Sequence, residues 1–261
     1  MLLWPVLNNG KNMSGNTSRS STHFCLARFR YYPLIAAFTI TGASFTFAAD
    51  QAVNFDTIAQ RAAPCMTCHG KEGRATRDGY YPRIAGKPAG YLYNQLANFR
   101  DGRRQQYPLM IYMVQHMSDP YLREIATFFA AQHPPYPPPQ SHDVPKDTLD
   151  KGRSLALSGD ASRNIPACVA CHGEKLTGAA PSIPGLLGLP RDYINSQFGA
   201  WREGARRAAP PDCMADIAKR LTPEDISAVS TWLSAQPVAA DAAPATSIPV
   251  KLPLRCGSFH Q

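Results

Sequence analysis

The pentad Cys65-Met66-Thr67-Cys68-His69 recurs as Cys168-Val169-Ala170-Cys171-His172. This pair of C-x-x-C-H motifs restricts the possible folds more than any other feature of the chain. Two thiols three positions apart can each add across one vinyl group of a single porphyrin. The histidine that follows is then placed under the ring to give an imidazole nitrogen to iron. A structural zinc site would want four thiolate or imidazole ligands from paired knuckles. A redox dithiol belongs after a strand in a βαβ unit, a pattern missing here. Coincidence would have to act twice in the same wider context. The expectation is two covalently attached haem c groups.

That wider context is an internal repeat. Tyr81-Pro82-Arg83-Ile84-Ala85-Gly86 answers Ile183-Pro184-Gly185-Leu186-Leu187-Gly188. Tyr91-Leu92 through Gln95 to Phe99-Arg100-Asp101-Gly102 answers Tyr193-Ile194 through Gln197 to Trp201-Arg202-Glu203-Gly204. Ile125-Ala126-Thr127-Phe128-Phe129-Ala130-Ala131-Gln132 answers Val229-Ser230-Thr231-Trp232-Leu233-Ser234-Ala235-Gln236. The 261 residues therefore read as a duplicated small domain, not one large core. Each copy has few long apolar runs, so a buried haem would supply apolar bulk that the protein alone lacks.

Residues 34–49 form an apolar run broken by Thr, Ser and Gly, preceded by Arg28 and Arg30 and ending in Phe47-Ala48-Ala49. This reads as a secretory signal peptide over 1–49, and as periplasmic localisation; an uncleaved anchor is the competing reading, for which the run is short and too polar. The leader is long, and Met13 offers a second start. Lys11, Arg19, Arg28 and Arg30 lie in it without any acidic residue, so its removal takes away half of the +8 net charge. The mild positive charge that remains suits either an acidic partner surface or plain solubility, and gives no ground for nucleic-acid binding. Membrane association is expected to be peripheral at most.

The remaining chain divides into an N-terminal domain over 50–133, a Pro-rich linker over 134–146, a C-terminal domain over 147–237 and a tail over 238–261. The fold class is all-α. In the first copy a helix should run from about residue 54 into the pentad, followed by a loop, a helix over 91–100, a ligand-bearing loop and a closing helix over 119–132. Ser118-Asp119-Pro120 and Thr222-Pro223-Glu224-Asp225 read as helix starts, a capping side chain followed by proline in the first turn. His133-Pro134-Pro135-Tyr136-Pro137-Pro138-Pro139-Gln140 favours extended polyproline geometry and should act as a stiff tether. The Ala- and Pro-rich tail should be extended and pack on the second domain.

A thioether opposite histidine completes iron and raises its reduction potential. Met110, Met113, Met117 and His116 are candidates in the first copy, and Met214, beside Cys213, in the second. Aligning the repeats selects Met110 and Met214, since each stands seven residues before the matching Met117-Ser118 or Leu221-Thr222. His116 and Met113 are then packing or surface residues. The metal ligands expected are His69, Met110, His172 and Met214, with Cys65, Cys68, Cys168 and Cys171 as the covalent attachments.

The pentad followed by Tyr-Pro-Arg-Ile-Ala-Gly, Tyr-Leu-x-x-Gln-Leu, Phe-Arg-Asp-Gly-x-Arg and a Met before Ser-Asp, with its looser second copy, resembles the di-haem cytochrome c4 family over residues 55–236. The resemblance implies two tandem class I cytochrome c domains, each with a His/Met haem. It also implies an electron carrier between quinol:cytochrome c reductase and a terminal oxidase. It places Pro82 and Pro184 where a backbone carbonyl accepts the ring N–H of the iron-binding histidine. The linker, Cys213 and the tail ending Leu252-Pro253-Leu254-Arg255-Cys256-Gly257 depart from the family pattern and bear on the partner.

With both irons six-coordinate the chain should be no enzyme and should take no small-molecule substrate. A di-haem peroxidase would need one accessible iron. A cytochrome subunit of a periplasmic dehydrogenase would use the same ligands, so the sequence separates it poorly from a free shuttle. Of the seven cysteines, signal cleavage removes Cys25 and the haems consume four. Cys213 and Cys256 remain, as a disulfide or as two free thiols, and an oxidising compartment favours the bond.

Overall fold

The computed structural model describes residues 56–76, 79–247 and 251–259, all within one compact unit, Ala52–Gln261. The expected leader and the helix start near residue 54 lie outside the described residues. Thr57 opens the first helix through a capping box with Gln60, a reciprocal arrangement that satisfies two otherwise orphaned donors. The helix leading into the first pentad comes in two pieces, α1 (Ile58–Arg61) and α2 (Ala63–His69). Pro64 has no N–H to continue the ladder, and the break falls two residues before it at Ala62.

The first half continues with α3 (Ala89–Arg100), α4 (Pro108–Val114) and α5 (Asp119–Ala130). The second half repeats the order: α6 (Lys146–Leu157), α7 (Val169–His172), α8 (Arg191–Arg202), α9 (Cys213–Arg220) and α10 (Pro223–Ser234). A two-residue antiparallel pair, β1 (Gly178–Ala179) and β2 (Ile183–Pro184), precedes α8. The fold is thus all-α with little strand. Both closing helices start where the capping residues indicate. The Ser118 hydroxyl accepts from Tyr121 N, and Thr222 shares a capping box with Asp225. The segments expected as ligand loops instead hold short helices, α4 and α9. Pro108 occupies the first turn of α4 with φ already suited to helix, and Asp212 caps α9 by accepting from Ala215 N.

Each half packs its own apolar cluster. Leu92, Ile125, Ala126 and Phe129 meet in the first half, extended by Phe99, Val114 and Leu122. In the second half the core includes Leu155, Tyr193, Phe198, Val229 and Leu233. There α6 crosses α10 so closely that a Cβ on Gly152 would lie 2.2 Å from the Ala228 carbonyl oxygen. Only glycine permits that approach.

The halves are joined tightly. Gly90 N at the start of α3 donates to Pro181 O at 3.0 Å. The proline-rich linker is docked along its length: Arg83 donates to the carbonyls of Pro134 and Pro135, and its guanidinium lies 3.9 Å from the Tyr136 ring centroid. Farther along, Gln140 N donates to Ser234 O and Gln140 Oε1 accepts from Arg191 N. The tail pairs with the second half at Ala179 and Ala245. It also reaches the first half, where Asn94 Nδ2 donates to Ser258 O at 3.0 Å. Among the described residues no helix is long and apolar enough to cross a membrane.

Candidate functional site

Two clefts open on either side of the junction between the halves. Cys65, Cys68 and His69 line the first. Because α2 is helical through the pentad, the two thiols fall on adjacent turns and the imidazole of the last residue points inward, buried. Gly70, at φ 74°, then turns the chain away. The ring atom His69 Nδ1 lies 2.9 Å from Pro82 O. A carbonyl can only accept, so Nδ1 carries the proton and Nε2 keeps its lone pair for the cleft. Burial lowers the pKa of His69, its bond to Pro82 opposes this, and Arg104 lowers it further, so the ring is neutral and able to bind a metal.

The second cleft repeats this arrangement. Cys168, Cys171 and His172 line it, and His172 Nδ1 lies 2.7 Å from Pro184 O. Burial lowers the pKa of His172 as well, opposed by Pro184, with Lys87 adding to the decrease. Burial pushes the Cys168 thiol up to about 11, and Cys171 adds to the effect. None of the four pentad cysteines is in a disulfide.

The first cleft receives three of the methionine candidates, Met110, Met113 and Met117; His116 is exposed and contributes nothing to its lining. Met113 is both a wall residue and partly solvent-exposed. Met214 lines the second cleft from the first turn of α9. Next to it Cys213 is bonded to Cys256, across 43 residues of sequence. That bond brings Leu252, Leu254 and Phe259 of the tail into the wall of the second cleft, a role beyond the simple packing expected of the tail.

Between the clefts runs a polar seam that sequence reading missed. Arg104 and Arg206 are buried, and both donate to Gln197 Oε1 at 2.7 Å and to Gln95 Oε1 at 3.0 Å. Tyr193 accepts from Arg104 and Tyr91 from Arg206. These are matched positions of the repeat, so the seam has approximate two-fold symmetry. Arg104 Nε is buried without a partner, and neither guanidinium meets a carboxylate among the described residues. Lys87 joins them: burial lowers its pKa to about 8, offset in part by Tyr193 and reinforced by Arg83. The signal was present in the repeated Gly-x-Arg after α3 and α8, and in Gln95 and Gln197, whose recurrence reads equally well as core packing.

These residues fit a haem in each cleft. The walls are mostly apolar, two thiols and a neutral imidazole are correctly spaced, and buried cations without anions stand where propionates could neutralise them. They do not fit zinc: among the described residues no cluster of three His, Cys, Asp or Glu side chains could hold a metal ion.

No family model matches the chain. A thiosulfate dehydrogenase electron acceptor from Thiomonas intermedia (strain K12) is 37% identical over 180 residues, spanning 68% of this chain and 80% of the relative. A solved cytochrome c4 from Acidithiobacillus ferrooxidans is 31% identical, with a TM-score of 0.57, over 67% of this chain and 99% of that one. A thiosulfate dehydrogenase from Marichromatium purpuratum is 30% identical, with a TM-score of 0.60, over 66% of this chain; the match spans only 36% of that longer chain. The chain belongs to the cytochrome c4 family, all-α electron-transfer proteins that carry two covalently bound haem c groups and are not enzymes.

Proposed function

We propose that this chain is the electron acceptor of a thiosulfate-oxidising dehydrogenase outside the cytoplasmic membrane, in the periplasm. The observation that carries the reading is its likeness to a protein named for that role, and its likeness to part of a thiosulfate dehydrogenase chain supports it. Thiosulfate meets the dehydrogenase; what reaches this chain is electrons.

In this reading Cys65 and Cys68 bond one haem, and Cys168 and Cys171 the other. His69 with Met110 and His172 with Met214 ligate the two irons. Bound, each haem supplies one reversible ferric/ferrous couple. The protein's part is positioning and electrostatics. Pro82 and Pro184 fix the histidine tautomers by accepting from Nδ1, which strengthens Nε2 as a ligand. The methionine thioethers favour the ferrous state, and the apolar walls keep water away. Met110 is chosen over Met113 and Met117 because it sits in the first turn of α4, as Met214 does in α9. The two domains of this reading, 50–133 and 147–237, are held face to face by the linker and the arginine seam, a short path for electrons between them.

A shuttle from quinol:cytochrome c reductase to a terminal oxidase would use the same residues, and the near-complete span of a cytochrome c4 favours it as second reading. Stopped-flow mixing separates the two. Oxidised protein should be reduced at both haems by a thiosulfate dehydrogenase supplied with thiosulfate, faster than by quinol:cytochrome c reductase supplied with quinol. Reduction by the reductase alone would overturn the proposal in favour of the shuttle.

A further inference from the structure

The repeat makes the two clefts nearly equivalent, but their charged linings differ: Arg83, which answers Gly185, lines only the first cleft, Asp212 lines only the second, and Lys87 lines both. Gly86-Lys87 corresponds to Gly188-Leu189. Leu189 is buried in the core of the second half. Lys87 belongs to the first half by sequence, yet its ammonium crosses to the second and donates to Gly185 O at 3.3 Å. Among the described residues no carboxylate pairs with it. Gly185 directly follows Pro184, whose carbonyl accepts from His172 Nδ1. The ammonium is thus attached to the loop that orients His172, and its charge reaches that ring. Lys87, Tyr91, Gln95 and Tyr193 line both clefts; of these four only Lys87 is a cation. Arg104 and Arg206 are matched positions, one in each cleft, and add no bias of their own.

We propose that Lys87 is a tuning residue that raises the reduction potential of the second haem. Ferric haem carries one more positive charge than ferrous. A partly buried ammonium therefore penalises the oxidised form, and it does so most where the surroundings are least polar. Lys87 has no cationic counterpart in the repeat, and its ammonium is bonded to the loop of the second site, so the second haem receives the larger share of its effect. The inference rests on the haem-binding reading of the clefts.

The test is a redox titration of the two haems, assigned separately, in the mature protein at neutral pH and in Lys87→Met, Lys87→Gln and Lys87→Arg. Haem content and the near-infrared thioether-to-iron bands are measured first, because loss of either in the unmodified protein would count against the haem and ligand reading, separately from this proposal. Lys87→Met should lower the second haem's potential by about 59 mV, a tenfold fall in the constant for its one-electron reduction. The first potential should move less. Lys87→Gln, which keeps a donor to Gly185 without the charge, should behave like Lys87→Met and serves in its place if that variant yields no holoprotein. Lys87→Arg should leave the second potential largely unchanged. An unchanged second potential, an equal fall at both haems, or the same fall in Lys87→Arg would overturn the proposal.

Discussion

Arg104 and Arg206 lie opposite each other across an antiparallel bridge between the halves, each sending a guanidinium to the same two glutamine oxygens. Stacking lowers part of the cost: Arg206 lies 3.8 Å from the Trp201 ring centroid, and Arg104 4.5 Å from that of Phe99. Two buried like charges still need anions. Haem propionates would supply them, and the arginines would then be part of the holoprotein's stability. Arg206→Met should therefore destabilise the holoprotein by about 3 kcal/mol, the usual scale for removing one partner of a buried charge network. Guanidinium denaturation followed by haem absorbance and by far-ultraviolet circular dichroism measures it; a midpoint unchanged from the unmodified protein would show that the seam carries no such pairing.

The ligand assignment predicts a selective spectral loss. Met214→Ala should abolish the near-infrared thioether-to-iron band of one haem and leave the other. Met214→His should keep that iron low-spin while lowering its potential, because imidazole favours the ferric state relative to thioether. In the first cleft Met110→Ala should remove the remaining band, whereas Met113→Ala should not. A band that survived Met110→Ala and disappeared in Met113→Ala or Met117→Ala would reassign the ligand.

The disulfide between Cys213 and Cys256 closes a 43-residue loop. The chain-entropy treatment gives such a loop on the order of 4 kcal/mol of stabilisation. Cys256→Ser should lower stability by up to that amount. It should also loosen the wall formed by Leu252, Leu254 and Phe259, so that Met214 is displaced by an added small ligand such as imidazole more readily than Met110. Titration of thiols in the unfolded, unreduced holoprotein should find none; two reactive thiols per chain would contradict the bond.

Acid stability should depend on Asp225, a buried carboxylate at the start of α10. Burial pushes its pKa up, but Arg163 and Lys151, with the Thr222 backbone, outweigh burial and leave it well below the usual carboxylate range. A depressed folded-state pKa contributes stability above the unfolded value, about 3.9. That contribution is lost as pH falls through the folded value. Asp225→Asn should therefore be less stable at pH 7, by about 3 kcal/mol, and should lose less further stability between pH 5 and acid. Denaturation midpoints across that range test it, and parallel curves for the two proteins would contradict the assignment.

The helices were legible where local chemistry defines them. Ser118 and Thr222 mark their starts, and the Tyr91, Gln95, Phe99 spacing marks α3. The segments before the closing helices read as loops by apolar spacing, yet Pro108 and Asp212 open short helices there. The clefts were legible because Cys and His chemistry is local. The seam was not: the partners of Arg104 are Gln95, Tyr193 and Gln197, and two of those three lie in the other half of the chain. The tail's part in the second cleft likewise depends on where a long segment returns, which spacing alone cannot say. Lys87 gave no signal beyond its mismatch with Leu189.

One haem should be bonded in each cleft, through Cys65 and Cys68 in the first and through Cys168 and Cys171 in the second. Denaturing mass spectrometry of the protein matured in a periplasm measures this directly. The predicted mass is that of the processed chain plus two haems, retained after unfolding. A chain carrying one haem, or losing both on unfolding, would contradict it.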